Sequence, residues 1–585
     1  MLVYGKASRT GDPRDRLATL ATLLRAVAEE PPGIRRHGAR VAALIEAGEL
    51  AQGIADATFH DHGRDLACPA RDATTALLLD LARSVWDSWR TGFGTPPGTP
   101  DLSALAAARL PARITTRWAE GFAFYALYPE SYAMAAARAA LAATTRVVGI
   151  RSIGVPLGAM VAAGLGSSDL RTVRPVGHPF RRALALDGAF AAALTAGDPA
   201  GFAIVDEGPG LSGSSFGAVM DTLAHLGIAE DRLTLFPSHT GTPGPQATER
   251  DQARWRRATR HTVPFGDVVL ANGGLASWVA DLVGPVQAPP IEISGGRWRA
   301  FQGRGADAWP PVNAQQEKRK FLLRAGGTLW HLKFAGLGPA GRAKLDRARA
   351  LHAAGFTPPV AGYRHGFLVE RWVADGRPLD LGPVAPGALI DWVGRYLGFR
   401  ARHFPSGPER GARLSELVAM ARHNVGEALG PDWAERLDAW VGPRMAGSRM
   451  ALLADRARPV EIDGRMQPWE FLVRPDGGLL KCDALDHHAA HDLVGCQDIA
   501  WDIVGAAVEL PLPEDAQGHL ATIVERVGGY PVDPELLAVL TPCYLAFQLG
   551  AADMAGEGAH DPLEAGRHRR SCARYTQQLR HVLGG

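Results

Sequence analysis

Lysine is nearly absent from this chain. Six lysines stand against 57 arginines, so each lysine that remains carries more information than usual. The arginine and alanine excess bears the mark of coding bias. Charge of one sign is also lacking: 63 basic and 61 acidic residues leave a formal net charge of +2. Generic nucleic-acid binders and membrane-surface binders need a large positive field, so both classes are excluded. Cysteine is sparse. Cys68, Cys482, Cys496, Cys543 and Cys572 are odd in number, scattered and without a CxxC pair. That excludes a disulfide scaffold and points to a reducing compartment. No uninterrupted apolar run reaches the roughly 20 residues a bilayer span needs. The N-terminal MLVYGKASRTGDPRDR has neither an apolar signal core nor a cleavage site. A soluble, cytoplasmic protein is expected.

What is present is the composition of a large globular chain. Its 585 residues give a prior of about 3–4 domains. Hydrophobic residues at 46% are too many for disorder. Glycine and proline together number 110, which promises many loops. Residues 1–110 read as helical, with Leu17, Leu20, Leu24 and Val27 at helical spacing. Arg146–Ile150 is a short β-branched run closed by glycine, and reads as a buried strand. Phe202–Val205 and Thr234–Phe236 repeat that pattern, with helices between. Strand–loop–helix alternation implies a parallel sheet covered by helices, here over 111–285. Residues 286–313 are dense in glycine and proline and read as a linker. From 314 the pattern changes. Phe321–Arg324 and Thr328–Ala335 flank Gly326-Gly327 as a hairpin, a helix follows at 340–355, and a strand at 366–373. Helices then dominate, apart from a β-type stretch at Phe471–Asp483.

The most informative segment is FAIVDEGPGLSGSSF, residues 202–216. A buried strand ends in two acids, Asp206 and Glu207. Gly208, Gly210, Leu211, Ser212, Gly213, Ser214 and Ser215 follow, then a helix. Such a loop lets successive N–H groups form a nest at a helix N-terminus, which suits a phosphate. The adjacent carboxylates can accept bonds from sugar hydroxyls or hold a magnesium shell. A GK[ST] ending is absent, against a Walker loop. This segment resembles the ribose-phosphate loop of type I phosphoribosyltransferases. Upstream, Arg151-Ser152-Ile153-Gly154 follows a strand where that family binds pyrophosphate. Residues 171–184, with Arg174 and Arg181, occupy the place of its mobile loop. The resemblance covers about 117–285. It implies a parallel-sheet phosphoribosyltransferase fold whose variable hood falls to the helical N-terminal region. It further implies Mg2+ at Asp206 and Glu207, phosphoribosyl pyrophosphate as substrate and a nitrogenous acceptor, in either direction. Asp206, Glu207 and Arg151 would be the catalytic residues. The aromatic stretch at 117–132 is expected to be core, and His60-Asp61-His62 a solvated turn.

The second half resembles the aminoglycoside-phosphotransferase branch of the protein-kinase-like fold, over about 314–585. This implies an α+β two-lobed domain with an N-lobe to about 375 and a C-lobe at 376–585. Lys333 matches the nucleotide-phosphate lysine, Glu370 the hinge, Asp483 the metal-binding acid and Asp498 the acid that braces the catalytic loop. ATP and Mg2+ are the implied cofactors. The departures are specific. Arg465 stands where the loop Asp is expected and Glu470 where its Asn is expected, leaving Asp463 as a shifted base and Glu470 as a metal ligand. The helix at 340–355 has only Asp346 to meet Lys333. Phosphoribosyl transfer coupled to a kinase-like module is the expected function. The alternatives are a small-molecule kinase whose N-terminal half senses phosphoribosyl pyrophosphate, or a non-catalytic nucleotide sensor. Small molecules are the expected partners, a homodimer is allowed, and nucleic acid and membrane are not expected.

Overall fold

The computed structural model describes residues 8–95, 98, 100–382, 384–490 and 493–584. Helices Pro13–Glu29, Ile34–His62 and Pro69–Arg90 open the chain. Ile34–His62 is apolar on most of its circumference, and Val41, Leu44, Leu50 and Ile54 are fully buried. A helix of that kind belongs inside the protein. His60, Asp61 and His62 are its exposed last turn rather than a loop.

A five-stranded parallel sheet follows. Its order is Leu170–Val173, Arg146–Ile150, Phe202–Val205, Leu233–Phe236 and Thr259–Arg260. The short β-branched strands are buried on both faces, as parallel strands between helices must be. Helices Gly154–Leu165 and Ser214–His225 cover it. Strand and helix approach closely: a Cβ on Gly154 would lie 2.6 Å from the Val205 carbonyl oxygen, so no larger residue fits. Residues 171–184 are not an open loop. Pro175–His178 and Arg181–Leu184 pair as an antiparallel hairpin. The aromatic stretch is broken as well. Ile114–Arg117 is a strand, Glu120–Ala123 one helical turn, and Pro129 starts the helix Pro129–Arg138. Phe122, Tyr128 and Tyr132 are core, while Tyr125 is about half exposed at 46%.

The second half has two lobes. An antiparallel sheet runs Ile291–Glu292, Lys320–Ala325, Thr328–Phe334, Phe367–Arg371, Val360–Arg364. Helix Gly338–Ala353 packs beside it. A helical lobe follows, built on Pro386–His403, Leu414–Leu429, Ala500–Glu509, Ala516–Gly528, Pro534–Glu557 and Pro562–Val582. Pro534–Glu557 has the length and apolarity of a membrane span, yet two-thirds of that window is buried within the protein.

Two findings revise the expected division of the chain. Residues 286–313 are not a free tether. Ile291–Glu292 adds an edge strand to the antiparallel sheet, and Arg299 donates to Glu564 on the last helix at 3.0 Å. Secondly, one core crosses the expected domain borders. Leu20, Val41, Tyr128, Met160, Trp278, Phe321, Phe334 and Val369 belong to the same packed cluster. The N-terminal helices, one face of the parallel sheet and the antiparallel sheet are therefore mutually buried, with the helical lobe keeping its own core.

Candidate active site in the cleft between the lobes

Lys333 lies on the inner end of Thr328–Phe334, where the strand becomes buried. Its Nζ donates to Asp483 Oδ1 and, at 3.1 Å, to Asp486 Oδ1. Lys344, on Gly338–Ala353, donates to Asp486 Oδ2 at 3.1 Å. Lys320 donates to Asp483 Oδ2 at 3.2 Å and to Glu317 at 2.9 Å. Lys318 and Lys481 line the same cleft. Five of the six lysines in the sequence thus gather here. A compact ammonium can approach two carboxylates end-on, whereas a guanidinium needs a wide planar seat. Burial alone would discharge Lys333, but Asp483 and Asp486 outweigh it and hold its pKa above the usual lysine value. Burial likewise opposes ionisation of both carboxyls. For Asp483, Lys333 and Lys320 reverse that, and for Asp486, Lys333 and Lys344, leaving both far below the carboxylate range. Lys344 shows the opposite outcome: burial prevails over Asp486 and its pKa is pushed down to about 8.

The cleft has an apolar and a charged end. Glu370, Trp372 and Val373, at the end of Phe367–Arg371, form one wall with Trp298 and Leu472. Asp483, Asp486, His487, Glu470 and Arg465 lie toward the other. Asp483 follows the strand Leu479–Lys481 and takes a left-handed backbone, φ 52°, which turns its carboxylate back toward Lys333. Glu470 is buried, and burial raises its pKa although Lys481 opposes the shift. Asp483, Asp486 and His487 place ligand atoms within 4.8 Å of one another. The two ionised carboxylates fit a magnesium ion, which takes oxygen ligands, better than the imidazole does.

Several expectations are corrected here. Asp346 is exposed and does not meet Lys333; Asp486, from the other lobe, does. Asp498 does not brace the loop at 463–464. It accepts from the N–H groups of Arg458 and Ala500. Asp502, on Ala500–Glu509, accepts from the N–H of Asp463 at 2.7 Å and of Gly464 at 2.9 Å. Asp463 itself is fully buried. Tyr396 donates to it at 2.5 Å and Lys481 stands 3.5 Å away. Burial opposes its ionisation, but Lys481, His487 and Arg400 win and hold it charged. It sits beneath the cleft rather than in its wall. Lys320, Lys344, Asp486 and Asp502 were missed in the sequence. The rarity of lysine was the signal for the first two.

The other expected site is built differently from its sequence outline. Arg151 is not free for an anion. Its Nε donates to Asp56 at 2.9 Å and its Nη2 to Asp65 at 2.6 Å, with the side chain fully enclosed. Arg174 donates to Asp56 at 2.8 Å. Both acids come from the N-terminal helical region, which no motif had flagged. Ser152, Ile153 and Gly154 form the turn into Gly154–Leu165, and Ile153 is core. Gly213, φ 66°, precedes the Ser214–His225 helix, and Ser214 Oγ donates to the Pro179 carbonyl at 2.6 Å. Gly208 abuts His239, Gly210 and Leu211 are exposed, and Ser212 and Ser215 are half-buried. Arg181 is exposed on the hairpin. Glu207 borders a groove with His239 and Phe265. Asp206 accepts from the Glu207 N–H at 2.8 Å, and burial pushes its pKa up to about 7 against Arg174 and Arg182.

The Asp206 shift has a measurable sign. Its folded pKa lies above the unfolded value, so ionisation is paid for only in the folded state. Stability from this group is full below about pH 4 and lost progressively up to pH 7. Asp206→Asn should therefore raise the melting midpoint at pH 8, by about 2–4 °C per kcal/mol recovered, and leave it unchanged at pH 4. Equal midpoints at both pH values would refute the shift.

Neither a protein-family model nor a curated protein matches this sequence. Solved structures do. The choline kinase of Streptococcus pneumoniae matches at 12% identity and TM-score 0.32, covering 52% of this chain and 98% of that one. A spectinomycin phosphotransferase, solved with ADP and spectinomycin, matches at 10% identity and TM-score 0.33, covering 53% and 97%. A glucosamine kinase, solved with glucosamine, ADP and inorganic phosphate, matches at 17% identity and TM-score 0.32, covering 53% and 83%. The expectation of a phosphoribosyltransferase enzyme is corrected accordingly: these structures are phosphotransferases. Within the chain, Arg151 and Arg174 are already neutralised by Asp56 and Asp65, and Asp206 is pushed toward neutrality. What the chain is similar to is a group of small-molecule kinases.

Proposed function

We propose that this protein is an ATP-dependent small-molecule kinase acting in the cleft between the antiparallel sheet and the helical lobe. The observation that carries this reading is the Lys333 ammonium from one lobe held between Asp483 and Asp486 of the other. Phosphoryl transfer is mostly positioning and charge neutralisation. Lys333 would hold the nucleotide phosphates, Glu370–Val373 would take the base, and Asp483 and Asp486 would hold Mg2+, which neutralises charge developing on the phosphate. The charged end, with Arg465, Glu470 and the half-exposed Tyr125, would receive the acceptor. In the same reading the parallel-sheet half senses a phosphorylated ligand such as phosphoribosyl pyrophosphate. Its support is the exposed Gly210–Leu211 loop before the N-terminus of Ser214–His225.

One observation favours a second reading, a nucleotide sensor without turnover. Asp463 is locked under the cleft floor by Tyr396 and Lys481, away from an acceptor hydroxyl. A missing base generally costs about 10²–10⁴-fold in rate. Calorimetric titration of the full chain with ATP, with and without Mg2+, tests the shared claim. Magnesium-dependent binding is expected, and its absence overturns both readings. ADP formation that depends on an amino alcohol or amino sugar acceptor then selects the kinase, and binding without it selects the sensor.

A further inference from the structure

Outside the cleft, three residues from three separate segments meet inside the protein. His37 comes from Ile34–His62, Glu130 from the first turn of Pro129–Arg138, and His365 from the turn joining Val360–Arg364 to Phe367–Arg371. All three side chains are wholly enclosed. His37 Nε2 lies 2.7 Å from Glu130 Oε1 and His365 Nε2 lies 3.1 Å from the same oxygen. Their ligand atoms fall within 4.8 Å of one another.

As a purely hydrogen-bonded cluster this arrangement is incomplete. Glu130 Oε2 and both ring nitrogens of His365 have no aligned hydrogen-bond partner, although buried polar atoms almost always find one. The His365 imidazole is close to Oε1 but not directed along a bond to it. His365 also holds a left-handed backbone, φ 39°, uncommon for a residue with a side chain. The Tyr128 hydroxyl donates to its carbonyl at 2.8 Å, fixing that turn. His37 is oriented from behind, since its Nδ1 lies 3.1 Å from Ser88 Oγ. An outer partner of that kind sets the tautomer that leaves Nε2 as a metal donor. Rings of Trp89, Phe93, Tyr128 and Trp278 close the surroundings against water.

We propose that His37, Glu130 and His365 form a structural zinc site that staples the N-terminal helices, the parallel-sheet half and the antiparallel sheet together. The donors are His37 Nε2, His365 Nε2 and the Glu130 carboxylate, whose two oxygens share one corner of the tetrahedron, and a water carried in with the ion completes it. Two imidazoles and a carboxylate in a closed pocket suit Zn2+. With Zn–N near 2.0–2.1 Å, donors on a tetrahedron stand roughly 3.3 Å apart. The observed 2.7 and 3.1 Å would widen by about 0.6 and 0.2 Å. Binding would give the orphaned Glu130 Oε2 and His365 Nε2 their partner. It would release the proton now shared between His37 and Glu130.

The test uses the full chain, stripped with a chelator while partly unfolded and refolded with Zn2+ or Co2+. One equivalent of Zn2+ by elemental analysis, a raised melting midpoint, and the visible bands of tetrahedral Co2+ are expected. His365→Asn, chosen because asparagine tolerates a left-handed backbone, should fold, lose that equivalent and melt at the same temperature with or without zinc. A folded wild type that takes up no metal overturns the proposal. So does uptake that His365→Asn leaves intact, which would place the metal elsewhere. Should His365→Asn fail to fold, tetrahedral Co2+ bands quenched in Glu130→Gln support the site, and unchanged bands overturn it.

Discussion

Lys333→Ala should abolish nucleotide binding at ordinary concentrations, weakening it by about 10²-fold or more. Truncating one member of a buried charge pair generally costs about 2–5 kcal/mol, which is roughly 30- to several-thousand-fold. Here the loss falls twice. The phosphates lose their cation, and Asp483 and Asp486 are left as neighbouring carboxylates with Lys320, Lys344 and His487 to meet them. Lys333→Arg should rescue poorly, because a planar guanidinium cannot sit between two carboxylates already approached end-on. Stability supplies an internal control. Lys333 keeps both acids ionised, so its stabilising contribution is present at neutral pH and lost as pH falls and they protonate. The gap in melting midpoint between wild type and Lys333→Ala should therefore narrow below about pH 4. Unchanged affinity for Mg·ATP in Lys333→Ala would remove the basis for the kinase reading.

The second large effect lies outside the cleft. Asp65→Ala should destabilise the N-terminal half by about 3–5 kcal/mol, the usual result of removing one partner from a buried ion pair. Asp65 is fully buried and takes Arg151 Nη2 at 2.6 Å, Arg71 Nη1 at 3.3 Å and the Arg174 N–H at 2.9 Å. Three donors lose their acceptor together, two of them charged. Asp56 still meets Arg151 and Arg174, which keeps the loss from growing larger, but nothing comparable replaces Asp65 at Arg71. Asp65→Asn retains an acceptor oxygen without the charge and should fall between. Urea titration followed by tryptophan fluorescence would measure both. A loss under about 1 kcal/mol for Asp65→Ala would show that this network is not what ties the helical region to the sheet.

These expectations separate what was readable from the amino-acid order from what was not. The buried strands Arg146–Ile150 and Phe202–Val205 were legible because a short apolar, β-branched run bounded by turn residues is the mark of a buried strand. The Lys320–Phe334 hairpin was legible because Gly326 and Gly327 supply the positive φ its turn needs. Lys333 and Asp483 could be singled out because a rare residue type and a carboxylate at the end of an apolar strand both stand out locally. Their meeting could not, for 150 residues separate them and only the docking of the two lobes closes that distance. Asp486 and Asp502 gave no local sign, since a charged residue in a loop or helix looks the same whether it is solvated or enclosed. The same holds, with a larger consequence, for Arg151 and Arg174. Their sequence setting is that of anion-binding arginines, and the tertiary structure gives them Asp56 and Asp65 instead. Local order determined the strands, the turns and the residues able to carry charge. Which charges meet one another, and which remain for a ligand, was decided only by packing, because burial sets the cost of leaving any of them alone.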